Sequence, residues 1–85
     1  MPRYLVETYV PKLRAHEARA EGRRANAAAR ELSHEGASVR YIRTTFLPDD
    51  ETCFHLFEAQ SEEAVDEACR RAGIAAGRIA PALEN

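Results

Sequence analysis

The sequence has few cysteines, no long apolar run and no excess of either charge. Its two cysteines, Cys53 and Cys69, form no CxxC pair, which favours two reduced thiols over a disulfide. No apolar stretch is long enough for a signal peptide or a membrane span. Twelve basic and 14 acidic side chains give a net charge of −2, with no basic footprint for nucleic acid or membrane. We therefore expect a cytoplasmic protein that binds neither.

Short motifs that place two metal ligands close together in the sequence are also missing. The chain contains no HExxH, HxxxH or CxxC. His34 lies near the predicted C-terminus of a helix, where it stabilises the helix dipole, and His16 is expected to be solvated. A metal site in this chain would therefore need ligands from several strands, or from two subunits.

The apolar residues that are present are mostly small. They make up 45% of the 85 residues, and many of them are alanine, which predicts a thin, closely packed core. A chain of this length forms a single domain, residues 1–85, and gains much from dimerisation because it buries little surface by itself.

A β-hairpin is predicted in the stretch from Val39 to Ala59. Two runs of alternating apolar and polar residues flank Pro48-Asp49-Asp50, which is turn chemistry. A three-residue loop would place Tyr41 opposite Phe57 and Arg43 opposite His55, so that one face is apolar and the other mixed. We expect this register, because a slip of one residue would move every side chain to the opposite face.

The rest of the chain alternates strand and helix signals. The sequence predicts strands at Arg3–Val10 and Arg78–Glu84, and helices at about Leu13–His34 and from Ser61 to Gly73. Pro81 restricts the last strand to an edge or a bulge. Gly22 interrupts an alanine stripe on the first helix and marks its closest approach to the sheet. The order β-α-β-β-α-β predicts a ferredoxin-like α+β plait of the dimeric α+β barrel type, with both helices on one face.

The mixed face of the hairpin is expected to be the open face of that sheet. It would carry Tyr41, Arg43, His55 and Phe57, joined by Leu5, Glu7 and Tyr9 of the first strand. Ile42, Phe46, Phe54 and Leu56 would then lie under the helices. Because the open face would expose several large apolar side chains, we expect a homodimer joined through the sheets or their edges.

Over nearly its whole length the chain resembles the small nickel-binding-protein-like family, catalogued as domain of unknown function 4242. The resemblance rests on the opening MPRYLVE, on VRYIRTTF before an acidic turn, on FEA before an acidic helix start, and on RRAG. It implies a ferredoxin-like dimer that binds nickel. The chain differs at Arg43-Thr44-Thr45, where members commonly have His-Ser-Tyr, and at Glu67-Ala68-Cys69, where they commonly have Glu-His-Ala.

These observations predict a ligand-binding protein that holds nickel or another divalent metal. The expected ligands are Glu7, Tyr9, Tyr41 and His55, brought together on the open face. The alternative is a small enzyme, an isomerase, cyclase or monooxygenase, in which His55 is the acid–base, Arg43 orients an anionic substrate and Glu7 assists. A third interpretation is a module that acts through protein contacts, with His55 hydrogen-bonded in an interface and Arg43 paired with Glu7. Both cysteines are expected to be buried small apolar residues.

Overall fold

The chain forms six main elements in the predicted order. They are β1 (Arg3–Tyr9), α1 (Ala15–His34), β2 (Val39–Leu47), β3 (Thr52–Ala59), α2 (Glu62–Ala72) and β4 (Arg78–Ala82). The computed structural model describes residues 1–84. Its four strands form one antiparallel sheet in the order β2-β3-β1-β4, so the predicted ferredoxin-like α+β fold is confirmed. Neither α1 nor α2 has the length and apolar character needed to cross a membrane.

Both helices pack on one face of the sheet, and the contact is made by small side chains. Alanines at three- and four-residue steps on α1 meet alanines, Val65 and Cys69 of α2. The sheet contributes Val6, Val39, Phe57 and Ala59 to the same buried cluster. Because the helix residues are small, the helix backbones lie close to the sheet, and the core is thin as predicted.

Local signals end the elements where the sequence indicates. The Ser61 hydroxyl accepts a hydrogen bond from the Ala64 amide at 3.2 Å and caps α2. Gly73 has a φ of 68°, and the following amide, that of Ile74, donates to the Cys69 carbonyl at 2.9 Å, as in a Schellman stop. Pro81 lies in β4, an edge strand that pairs with β1.

The hairpin register differs from the predicted one over half of its length. Tyr41 pairs with Phe57, as expected, but a bulge follows, so that Arg43 pairs with Leu56 and Thr44 with His55. The predicted pairing of Arg43 with His55 is therefore wrong. The loop between the paired residues has four residues, 48–51, instead of three, and Glu51 ends it with a φ of 50°. This longer loop shifts the pairing by one residue near the turn. The bulge between Tyr41 and Arg43 then restores the predicted register from Tyr41 to Val39.

The assignment of faces is also wrong for Tyr41 and for β3, whereas Phe46 packs against α1 and Arg43 lies on the open face, as expected. Phe57 and His55 have no exposed surface, and they share the helix-covered face with Val6 of the neighbouring strand. Phe54 and Leu56, which alternate with them, lie on the open face with Leu5. Both sets are apolar enough to be covered, so alternation by itself does not select between them.

The open face is partly covered by ion pairs. The Glu84 carboxylate lies 2.6 Å from the Arg3 guanidinium on β1 and 3.0 Å from that of Arg43 on β2. Since β3 runs between β1 and β2, this bridge lies over β3, where Leu56 is only 3% exposed. Glu58 adds contacts to Arg3 and Arg40. The open face is therefore less apolar than the sequence suggested.

Candidate metal centre

The centre of the site is His55, a fully buried histidine on the central strand β3. Its Nδ1 lies 2.8 Å from the Thr44 hydroxyl of β2, and its Nε2 lies 2.8 Å from Oε1 of Glu21 on α1. Burial of a polar ring is costly unless its nitrogens have partners. Here both nitrogens have one, which explains why a histidine is tolerated under the helices.

Glu21 reaches the ring because α1 lies unusually close to β2 at this point. A Cβ atom on the next residue, Gly22, would lie 2.6 Å from the Thr44 hydroxyl oxygen and 2.9 Å from that of Tyr41. No larger residue fits without displacing those hydroxyls, so the predicted close approach at Gly22 is confirmed. The Glu21 side chain is 16% exposed, and Thr8 of β1 donates a hydrogen bond to its Oε1 at 2.9 Å.

Cys53 completes the cluster. It lies two residues before His55 on the same face of β3, with no exposed surface, and its Sγ is 3.7 Å from the imidazole Nε2. Burial, together with the nearby Glu21 carboxylate, raises the pKa of the Cys53 thiol to about 11. At neutral pH this cysteine is therefore a neutral thiol rather than a reactive thiolate.

The hydrogen bonds form a continuous chain from the helix to the edge of the sheet. The Tyr41 and Thr44 hydroxyl oxygens are 2.5 Å apart, and Thr44 in turn contacts His55, which contacts Glu21. If Glu21 is ionised, His55 carries its proton on Nε2, Thr44 donates to Nδ1 and Tyr41 donates to Thr44. The reverse order places the proton on Nδ1 and leaves the Nε2 lone pair free to bind a cation.

The donor set fits a divalent transition metal. The Glu21 carboxylate, the Cys53 thiol and the His55 imidazole place one ligand atom each within 4.8 Å of one another. Ligands about 2.0–2.3 Å from a tetrahedral metal lie roughly 3.3–3.8 Å apart. The 3.7 Å thiol–imidazole distance already falls in this range, whereas the 2.8 Å carboxylate–imidazole contact has to widen. Thr8 and Thr44 already orient the carboxylate and the imidazole from outside.

The structure separates the residues that the sequence grouped. His55 belongs to the cluster, and Tyr41 is linked to it through Thr44. Glu7 and Tyr9 lie on the opposite face of the sheet, since Glu7 pairs with Phe54 rather than with a neighbour on the His55 face. The expectation that Glu7 and His55 share a face is therefore wrong.

Arg43 is also remote from the histidine. It lies on the open face, and its guanidinium contacts Glu84 instead of the expected partner Glu7. The catalytic trio considered for an enzyme, His55 with Arg43 and Glu7, is thus not assembled within the described residues. It also follows that no guanidinium of Arg43 stands beside the imidazole to repel a metal.

Sequence reasoning missed two members of the cluster, Glu21 and Cys53. In the sequence, Glu21 falls on the polar face of α1. Only the rotation of the helix about its axis on the sheet directs its side chain inward. Its neighbour Gly22 was the available signal, because a glycine at the point of closest approach places the adjacent side chain next to the strands. Cys53 was correctly predicted to be buried. Its proximity to His55 was missed, although residues two apart on a strand lie on the same face.

A family model described as nickel responsive protein SCO4226-like matches residues 4–81. The chain belongs to this family. The resemblance inferred from its sequence motifs is thereby confirmed. Neither the comparison with curated proteins nor that with solved structures gives a match. A nickel-responsive family and a buried cluster of carboxylate, thiol and imidazole both direct attention to metal chemistry.

Proposed function

We propose that this protein binds a divalent transition metal, nickel in the first instance, through Glu21, Cys53 and His55. The observation that carries the proposal is the convergence of three chemically different ligands from α1 and β3 within 4.8 Å. Imidazole and thiolate favour nickel, copper and zinc over magnesium or calcium. The family description points to nickel among these.

The surroundings of the cluster support binding rather than turnover. His55 and Cys53 have no exposed surface, so neither can touch a substrate in this conformation. On one side Cys53 packs with Val10, Ala18 and Phe46, which forms an apolar wall next to the ligands. The proposal retains His55 from the predicted ligands, assigns Tyr41 to the outer hydrogen-bond chain and makes no use of Glu7 or Tyr9.

Calorimetric titration of metal-stripped protein with nickel, copper and zinc tests this function. We expect one site per chain, and for nickel a thiolate-to-metal charge-transfer band in the near ultraviolet. Cys53→Ala should abolish the band and weaken binding, because it removes a ligand. Cys69→Ala is the matched control, since Cys69 is an equally buried free cysteine in the core outside the cluster.

Thermal unfolding in the presence of nickel provides a second readout that does not depend on the band. A metal that binds only the folded chain raises the unfolding temperature, and the rise grows with the logarithm of the metal concentration divided by its Kd. Silence with all three metals, or an unchanged band in a folded Cys53→Ala variant, would refute the proposed site.

We further propose that the protein acts as a homodimer in the cytoplasm. Tyr9 is 70% exposed on the open face, where Leu5 and Phe54 are half-buried. Packing this face against a second copy would cover them and add stability to a small core. The two cysteines are free thiols, which suits a reducing compartment.

A further inference from the structure

A long cleft runs between α1 and the free edge of β2, outside the metal cluster. It consists of two adjoining cavities of about 640 and 680 Å³ that share Asn26 and Tyr41. Together they extend from Ala15 to His34 along the helix and from Val39 to Phe46 along the strand. Because the cleft follows β2 from Val39 to Phe46, an extended segment can lie along it beside the strand.

The helix wall of the cleft is basic, although the whole chain carries a net charge of −2. Arg19, Arg23 and Arg30 of α1 follow one helical stripe along one wall. On the strand side, Arg40 and Arg43 are already paired with Glu58 and Glu84 on the open face, so the helix wall carries the uncompensated charge. None of the residues that line either cavity is acidic. Positive charge is therefore concentrated in the cleft, and it attracts a negatively charged partner.

The arginines on the helix wall are also not neutralised by neighbours. Within residues 1–84, no carboxylate oxygen lies within 4.0 Å of the guanidinium of Arg19, Arg23 or Arg30. Several other arginines are closely paired, as Arg71 is with Glu31, Glu35 and Glu67. The positive charge of the helix wall is thus available to an incoming ligand.

The floor of the cleft offers a second kind of contact. In the described chain, β2 pairs with β3 on one side and with no strand on the other. An edge strand presents backbone donors and acceptors to which an extended peptide can add as a further strand. The nine residues of β2 provide enough length for such pairing.

We propose that the α1–β2 cleft binds an acidic, extended segment of a partner protein, which adds as a strand to the free edge of β2. Alternate carboxylates of the segment then face the arginine stripe of α1. A second copy of this chain is the poorer occupant, because β2 carries Arg40 and Arg43 and no acidic residue. Pairing of two β2 strands would therefore place like charges opposite each other.

Fluorescence anisotropy with labelled peptides tests the cleft, independently of metal. The probe is a nine-residue peptide of alternating glutamate and threonine, compared with lysine–threonine and glutamate–proline peptides of the same length. We expect binding of the first peptide alone. The second peptide has the wrong charge, and the third lacks every second backbone N–H and is held by its prolines near the polyproline II conformation, which does not match a ladder. Binding should weaken steeply as salt is raised.

Two variants separate the arginine stripe from general electrostatics. Arg23→Glu should weaken peptide binding by about tenfold, whereas Arg78→Glu should leave it nearly unchanged. Both substitutions change the net charge equally at exposed positions, but Arg78 lies on β4 at the other edge of the sheet. An equal loss in both variants would refute recognition by the stripe.

Hydrogen exchange of the β2 amides tests strand addition itself. The acidic peptide should slow exchange of those β2 amides that are unprotected in the free protein. Binding without this protection, or equal binding of the glutamate–proline peptide, would overturn strand addition. Protection that grows with protein concentration in the absence of peptide would assign the edge to a second copy and overturn the proposal as well.

Discussion

At the scale of single residues, the decisive feature is a buried histidine whose two nitrogens are both used. Nδ1 of His55 contacts Thr44 and Nε2 contacts Glu21, so removal of either partner would leave a buried polar atom unsatisfied, at about 1–3 kcal/mol. The same contacts also pre-orient the ring for a metal ion. A metal would replace the proton between His55 and Glu21 and leave the Thr44 contact in place.

Metal affinity should rise with pH, because the ligand form of Cys53 is the thiolate. Burial raises the pKa of this thiol to about 11, so at neutral pH binding must displace a proton. Below that pKa, the release of this one proton should raise the nickel affinity about tenfold for each unit of pH. Competition with a chelator at two pH values measures the effect.

The control for this pH dependence is Cys53→Ala. Its nickel affinity should rise less steeply with pH, because only the other ligands then release protons on binding. Cys69→Ala should keep the wild-type slope, although burial raises the pKa of Cys69 to about 11 as well. Identical slopes in the wild-type protein and in Cys53→Ala would show that the thiol does not bind the metal.

At the scale of elements, the site depends on how closely one helix approaches one strand. α1 has small residues on its buried side, and at Gly22 there is no side chain at all, so the Tyr41 and Thr44 hydroxyls fit beneath the helix. The bulge in β2 between Tyr41 and Arg43 places Thr44 opposite His55. The hydrogen-bond chain therefore depends on both the helix packing and the strand bulge.

Gly22→Ala should destabilise the fold in spite of the better helix propensity of alanine. The propensity gain is about 1 kcal/mol, but the added Cβ would lie 2.6 Å from the Thr44 hydroxyl oxygen, and overpacking costs about 1–3 kcal/mol. We expect a net loss of about 1 kcal/mol in the free energy of unfolding, measured by urea denaturation.

Ala27→Gly on the same helix calibrates this measurement. Ala27 is exposed, so its replacement reports the propensity term by itself, a loss of about 1 kcal/mol. If Gly22→Ala instead stabilised the protein by the same amount, the close approach of α1 to β2 would be absent.

At the scale of the whole molecule, the two faces of the sheet differ in burial and in charge. The helix-covered face contains the thin core and the buried cluster, while the open face carries ion pairs around a small apolar patch. Charge is also distributed unevenly, since the α1–β2 cleft collects arginines in a chain of net charge −2. The metal, the second copy and the peptide are thus proposed for three different places in this chain: the buried cluster, the open face of the sheet and the α1–β2 cleft.

The proposed dimer should be disrupted by charge on the open face. Sedimentation velocity should give twice the chain mass of 9.5 kDa, and Tyr9→Arg should shift the protein towards monomer, because it places a cation in the apolar patch. Leu13→Arg should not, since Leu13 is 95% exposed on the turn before α1, away from the sheet. A wild-type monomer at every concentration would refute the dimer.

Much of the fold was predictable because its signals are local. Alternation defined the strands, the alanine stripe defined α1, and Ser61 and Gly73 marked the ends of α2. Pro81 indicated an edge strand because proline cannot donate a ladder hydrogen bond. Each of these follows from backbone geometry within a few residues, so the chain alone determines the order of elements and hence the ferredoxin-like topology.

The site was decided by the tertiary structure. Both faces of β3 are apolar enough for burial, so only packing against the helices selects the face of Phe57 and His55 over that of Phe54 and Leu56. Glu21 and His55 are 34 residues apart, and their contact depends on the rotation of α1, the bulge in β2 and the missing side chain at Gly22. Sequence alone marked His55 as a candidate ligand, and packing supplied its partners.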